Sequence, residues 1–200
     1  MEKTKLAVVY YSMGGTNYQL AKWAEEAALA AGAEVRVVKV QELAPQSVID
    51  GQPSWKAFVE STKDVPVAAS ADLDWADAIL FSTPTRFGNL ASQMKQFIDI
   101  QGGLWFTGKL NKKVVSAMSS ASNAHGGQEA TLLSLYTSMY HWGAIVVTPG
   151  YTDASVGKAG GNPYGTSVTV GQDGKMVEDV KDAVFHQTRR LVEVASQMKK

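Results

Sequence analysis

Unbroken apolar runs alternate along this chain with stretches in which apolar residues recur every three or four positions. Leu6-Ala7-Val8-Val9-Tyr10-Tyr11 is continuous until Ser12-Met13-Gly14-Gly15, the pattern of a strand buried on both faces. From Thr16 the period changes. Leu20, Ala24, Ala27, Ala28 and Ala31 repeat at helical spacing, and Gly32 is placed to cap the helix. Glu34 to Val40 reads as a second, edge strand, Ala78-Ile79-Leu80-Phe81 as a third and Val114 to Met118 as a fourth. Helical spacing returns at Leu90, Met94, Phe97 and Ile98, and at Leu132, Leu133, Tyr136, Met139 and Tyr140. A last helix is marked by Val177, Val180, Val184, Leu191, Ala195 and Met198. Ala144 to Val147 and Ser167 to Val170 read as two halves of one edge strand, split by a Gly-rich insertion from Gly150 to Gly165.

The segment Gln41 to Asp74 has no clear period and carries Pro45, Pro53 and Pro66. It reads as a long elaboration with one short helix near Trp55–Ser61, and a connection of this length is usually functional or part of an interface. The alternation as a whole predicts an α/β domain over residues 1–200, with a five-stranded parallel sheet, helices on both faces and right-handed crossovers.

Composition narrows the functions. The 200 residues include no cysteine, which excludes disulfides, thiolate metal sites and cysteine nucleophiles. Lys and Arg total 19 and Asp and Glu total 19, with no basic stripe, which argues against nucleic-acid binding. No apolar stretch approaches the roughly 20 residues of a membrane span. The first apolar run stops at Ser12, too short for a signal peptide. The expectation is a soluble, cytoplasmic protein without membrane insertion.

In an open parallel sheet, ligands bind beyond the carboxyl ends of the strands. After the first strand, Ser12-Met13-Gly14-Gly15-Thr16-Asn17 opens a helix. Its glycines permit close approach, and its hydroxyls and helix N-terminal N–H groups can donate to one phosphate. It is neither a P-loop nor Gly-x-Gly-x-x-Gly. The first and third strand ends lack the acids of a receiver domain. The third strand is followed by Ser82-Thr83-Pro84-Thr85-Arg86-Phe87-Gly88-Asn89, where Pro84 is expected to stop the strand. The fourth is followed by Ser119-Ser120-Ala121-Ser122-Asn123-Ala124-His125-Gly126-Gly127, small residues against which a flat ring could lie. Each loop alone also reads as an ordinary turn; together they sit where one ligand could touch all three. Trp105 in Gly102-Gly103-Leu104-Trp105-Phe106 reads by default as core, and His141 as a surface histidine at a helix C-terminus.

Tyr10-Tyr11-Ser12-Met13-x-Gly15, Thr83-Pro84-Thr85-Arg86-Phe87-Gly88-Asn89, Gly102-Gly103-Leu104-Trp105, Gly126-Gly127-Gln128-Glu129 and Gly161-x-Pro163-Tyr164-Gly165 together resemble the WrbA family, flavodoxin-like NAD(P)H:quinone oxidoreductases, over essentially the whole chain. The resemblance implies a flavodoxin-like three-layer sandwich with sheet order 2-1-3-4-5 and a non-covalent FMN. Ser12, Met13, Gly14, Gly15, Thr16 and Asn17 would cradle its phosphate. Pro84, Thr85, Arg86, Phe87 and Gly88 would hold the ring and ribityl chain. Ser119, Ser120, Ala121, Ser122, Asn123 and Gly126 would wrap the ring edge, and His141 would contact FMN. Trp105 and Gly14 would border the nicotinamide and quinone pocket. Gly14 stands where the family often has an aromatic residue. The loop at 121–125 is one residue longer than the family pattern.

The implied reaction is hydride transfer from NADH or NADPH to flavin, then two electrons to a quinone, by a ping-pong mechanism. No side chain is required as acid, base or nucleophile in the hydride step, although His141 could steady negative charge on reduced flavin. The alternatives are an electron-transfer flavodoxin, against which the zero net charge speaks, and an FMN-binding regulatory module. The two elaborations carry Trp55, Phe58, Tyr151 and Tyr164, residues suited to an interface. Composition alone suggests a dimer; the resemblance implies a homotetramer with the active site between subunits.

Overall fold

The computed structural model describes residues 2–199. Its strands are β1 (Lys5–Tyr10), β2 (Glu34–Lys39), β3 (Ala78–Arg86), β4 (Asn89–Leu90), β5 (Val114–Ala121), β6 (Ile145–Val146) and β7 (Ser167–Thr169). Its helices are α1 (Thr16–Ala30), α2 (Gln46–Asp50), α3 (Pro53–Ser61), α4 (Ser70–Trp75), α5 (Ser92–Asp99), α6 (Gly102–Phe106), α7 (Gln128–Trp142), α8 (Ala154–Lys158) and α9 (Lys181–Met198). The sheet order is β2-β1-β3-β5-β6, all parallel. The fifth position is divided as expected. β6 pairs with Val114 and Val115, and β7 with Ser119 to Ala121 further along the same edge.

Both faces of the sheet are covered, which explains the unbroken apolar run of β1. Leu6, Val8 and Tyr10 pack under α1 and α9 with Leu20, Ala24, Val184 and Leu191. Ala7, Val9 and Tyr11 point the other way, toward Met94, Phe97, Leu132 and Leu135 of α5 and α7. α1 ends as its sequence predicts: Gly32 at φ 82 lets Ala33 N–H donate back to the Ala28 carbonyl at 3.0 Å.

Four details differ from the sequence expectation. The elaboration at 41–74 holds three short helices, not one. Trp55 is buried there, and the Phe58 ring meets Tyr18 edge-on at 5.9 Å, so these two aromatics pack on their own chain. β3 runs through Pro84 to Arg86. Beyond Ser82 its β1-side edge is free, so the missing N–H of Pro84 costs no ladder bond there. β5 extends to Ala121 because β7 pairs with its end. α9 begins at Lys181, leaving Val177 exposed outside it.

The insertion between β6 and β7 is anchored through Tyr136. Its hydroxyl donates to the Tyr164 carbonyl at 2.7 Å and accepts from Ala117 N–H at 3.0 Å. Tyr151 of the same insertion stays exposed.

Candidate functional site

The loop after β1 is a tight turn. Gly15 N–H donates to Ser12 Oγ at 2.9 Å, and Gly15 takes φ 95 immediately before α1. The Phe58 ring covers the back of this turn, 3.6 Å from where a Gly15 side chain would begin. Its front is open: a Cβ on Gly14 would find no atom within 4 Å. The first turn of α1 contains no acidic residue, and by helix geometry the N–H groups of Thr16, Asn17 and Tyr18 lack intrahelical acceptors. That end of the helix carries partial positive charge.

Asn17 has a role that its sequence position did not reveal. Its side chain is buried, with Nδ2 donating to Ser82 Oγ at 3.1 Å and Oδ1 accepting from Ser120 Oγ at 2.6 Å. Ser82 Oγ donates in turn to the Asn17 carbonyl at 3.1 Å. The carboxamide thus ties α1 to the ends of β3 and β5. What Asn17 offers a ligand is its backbone N–H.

β3 and β4 form a hairpin, with Thr85 opposite Leu90 and Arg86 opposite Asn89. The two-residue turn is Phe87-Gly88, with φ 53 and φ 76. Positive φ at both positions is the requirement of a type I′ turn, which favours Asn-Gly. Phe87 is strained there, and its ring is fully exposed. Arg86 donates from Nη1 to the Thr85 carbonyl at 3.0 Å and lies 3.9 Å through Nη2 from Met13 Sδ. The Thr85 hydroxyl meets that of Thr131 at 2.6 Å and donates to the Gly126 carbonyl at 3.4 Å, fastening the hairpin to the loop after β5.

Behind these loops lies a buried polar cluster. Tyr11 Oη donates to Glu42 Oε2 at 3.0 Å, while Gln93 Nε2 donates to Tyr11 Oη at 2.9 Å and Glu42 Oε1 at 2.7 Å. Burial, then the Glu42 charge, push the Tyr11 phenol up, so it stays protonated and serves as a strut.

One cleft of about 620 Å3 joins the three loops. Its walls are Ser12, Met13, Gly14, Thr16 and Asn17, then Pro84, Thr85, Arg86 and Phe87, then Ser120, Ala121, Ser122, Asn123 and Gly126. Gly15, Gly88 and Ser119 do not themselves line it; the Ser119 hydroxyl is buried without a partner among the described residues. Val170, Gly171 and Gly174 complete the wall, and the sequence reading assigned them no role. The signal was available: they follow the second half of the split strand, at the same end of the sheet as the other loops.

Trp105 and His141 line a different cavity, of about 270 Å3, with Asp99 and Ser138. Trp105 is 54% exposed rather than core, and its Nε1–H donates to the His141 carbonyl at 2.9 Å. His141 lies in the last turn of α7, thirteen residues beyond Gln128, which places it about 20 Å from the loop that the helix follows.

Among the described residues the cleft lining contains Arg86 but no carboxylate, histidine or lysine, and no group of residues is arranged to hold a metal ion. No helix is long and apolar enough to cross a membrane. The arrangement can hold an anionic group at the α1 end and a flat ring between the Arg86-Phe87 hairpin and the loop at Ser120 to Gly126. It supplies no general acid–base pair and no activated nucleophile, so redox chemistry here must come from the bound group. The fit to FMN is good. The α1 end offers neutral donors sized for one phosphate, and Gly14 leaves the approach clear.

Residues 4–157 match the family model described as NADPH-dependent FMN reductase. The chain is 56% identical over 195 residues to an NAD(P)H dehydrogenase (quinone) of Deinococcus radiodurans, covering 97% of this chain and 96% of that one. It is 39% identical over 201 residues to one of Methylocella silvestris, covering 98% of both. Among solved structures it resembles a flavodoxin, WrbA-like protein from Agrobacterium tumefaciens, with TM-score 0.65, 23% identity and coverage of 98% and 99%. It also resembles the two-electron reduced flavodoxin of Megasphaera elsdenii, with TM-score 0.58, 18% identity and coverage of 94% and 98%. The fold is flavodoxin-like.

Proposed function

The chain belongs to the NADPH-dependent FMN reductase family, and on that premise we propose that it is a cytoplasmic, single-domain, FMN-dependent NAD(P)H:quinone oxidoreductase. The observation that carries the reading is the cleft itself: a neutral-donor phosphate cradle continuous with an open ring site, without acid–base machinery. FMN, when bound, supplies the chemistry of taking two electrons from the nicotinamide and passing them to the quinone. The protein's part is placement. Ser12, Thr16 and the first N–H groups of α1 hold the phosphate; Thr85, Arg86 and the loop at Ser120 to Gly126 hold the ring.

Access bears on the order of events. Gly14, Arg86 and Phe87 rim the cleft and are exposed. One open rim supports use of a shared face by nicotinamide and quinone in turn, a ping-pong scheme.

Trp105 and His141 of the same chain line a separate cavity and not this cleft. A second copy can present them. Ile100, Trp105, Phe106, Leu133 and Tyr140 are exposed apolar residues around α6 and α7, a surface suited to self-association. Together with the WrbA resemblance, this supports a homotetramer whose subunits share active sites.

The test is direct. The purified protein should carry an FMN spectrum and reduce benzoquinone with NADH or NADPH. A colourless protein that neither takes up FMN nor turns over with either nucleotide would overturn the proposal.

A further inference from the structure

The phosphate cradle is electrically incomplete. A phosphate monoester carries close to two negative charges at neutral pH, yet Ser12 to Asn17 contains no cation. Arg86 approaches the cradle only at its edge, with Nη2 3.9 Å from Met13 Sδ, and its Nη1 donates to the Thr85 carbonyl.

The opposite side is closed by a hairpin that the sequence reading left without a role. Val170 N–H donates to the Ala121 carbonyl at 2.7 Å, carrying the chain past the end of β7 and beyond the sheet. Val170 then pairs antiparallel with Met176, and Gly171 N–H donates to the Lys175 carbonyl at 2.8 Å. Gly174, at φ 78, closes the turn and donates to the Gly171 carbonyl at 2.9 Å. This hairpin leads into α9, which packs beside α1; Lys181 pairs with Glu26 at 3.1 Å, and Met176 joins the apolar cluster that holds Leu20 and Tyr10. The turn therefore stands on the α1 side of the cleft, and Gly171 and Gly174 are part of its wall.

Lys175 follows Gly174 directly. Its side chain is 84% exposed, and its contact with Asp173 is a loose 4.0 Å. It has little to give up on turning toward an anion.

We propose that the Gly171–Lys175 turn is the second wall of the phosphate site and that Lys175 is the countercharge for the ligand's terminal phosphate. The inference rests on the FMN reading above and adds a binding residue to it. Neutral donors fix the geometry of the phosphate, and an exposed lysine supplies charge without enclosing it. The preference this creates is for the phosphorylated flavin over riboflavin, which lacks only that group.

The experiment titrates flavin-free wild-type protein, Lys175→Gln and Lys175→Arg with FMN and with riboflavin by fluorescence quenching, at low and high salt. For Lys175→Gln, FMN binding should weaken about three- to tenfold at low salt and lose part of its salt dependence, because an exposed pair contributes modestly and is screened. Riboflavin binding should not change, and Lys175→Arg should restore FMN binding. Unchanged FMN affinity and salt dependence in Lys175→Gln would overturn the role of Lys175 alone. A matching loss of riboflavin affinity would overturn it too, by showing that the turn matters only for shape. Failure of the wild type to bind FMN would instead sink the FMN reading, and this inference with it.

Discussion

A side chain on Gly127 would begin 2.7 Å from the Cα of Gly88. The turn of the β3–β4 hairpin and the start of α7 therefore touch backbone to backbone, and the ring side of the cleft depends on that contact. Gly127→Ala should separate the two loops. It also places a Cβ at φ 91, which by itself costs about 1–2 kcal/mol. The expected outcome is a lower melting temperature together with FMN binding weakened at least about tenfold, since a loop displaced by a fraction of an ångström no longer meets the ring. An FMN dissociation constant equal to wild type, by titration, would show that the contact is packing and nothing more.

What was readable in the sequence follows from periodicity. β1 announces itself because both faces of the sheet are covered, and α1 because Gly32 marks its end. The split fifth strand was legible because both halves kept their apolar residues. Two things were hidden. Pro84 looked like a terminator because a sequence does not say which edge of a strand is unpaired. The tie that the Asn17 side chain makes between α1 and the ends of β3 and β5 was hidden because its bonds to Ser82 and Ser120 span 65 and 103 residues. The pair Trp105 and His141 shows the same limit: motif resemblance groups residues by role, while within one chain the two line a cavity separate from the cleft.

Thr16 and Asn17 should separate cleanly. Thr16 is half-buried and lines the cleft. Thr16→Ala should weaken FMN binding by about 1–3 kcal/mol, through loss of a charge-assisted donor, with little change in the melting temperature of the flavin-free protein. Asn17→Ala should do the reverse in order of magnitude. It leaves the buried Ser120 hydroxyl without its acceptor and Ser82 Oγ without one of its two bonds to Asn17, so flavin-free stability should fall by about 1–3 kcal/mol. Calorimetry on both variants decides; equal stabilities would mean that the Asn17 network is not structural.

Phe87 holds a strained φ of 53 and buries none of its ring. Among the described residues none covers the ring, which motivates a ligand or partner contact as the reason for the strain. Phe87→Asn fits the type I′ turn better and should leave the flavin-free protein as stable or up to about 1 kcal/mol more stable. FMN affinity or quinone turnover should fall. A variant that is destabilised and fully active would show the ring to be a structural element.

Steady-state kinetics test the shared face. Double-reciprocal plots with NAD(P)H varied at several quinone concentrations should be parallel, since one substrate leaves before the other enters. Intersecting lines would mean that both occupy the site together, and would point to room beyond the open Gly14 corner.

The subunit-sharing proposal is decided at Trp105. The residue is 54% exposed, and its Nε1–H is held by the His141 carbonyl. Its ring is therefore presented outward at a fixed angle, as an interface residue would be, and the exposed Phe106 and Tyr140 extend the same apolar surface. Truncation removes little from the core of its own chain, so flavin-free Trp105→Ala should fold with a near-wild-type melting temperature. If a second copy brings the ring to the neighbouring cleft, quinone turnover should fall about tenfold or more, because a pocket wall is lost. FMN affinity should change far less, since the phosphate cradle and hairpin lie entirely within one chain. Light scattering at micromolar concentration with FMN present should give four times the chain mass. A monomeric mass would end the shared-site proposal whatever the kinetics showed. A tetramer in which Trp105→Ala retained full quinone turnover would keep the assembly and remove Trp105 from the active site.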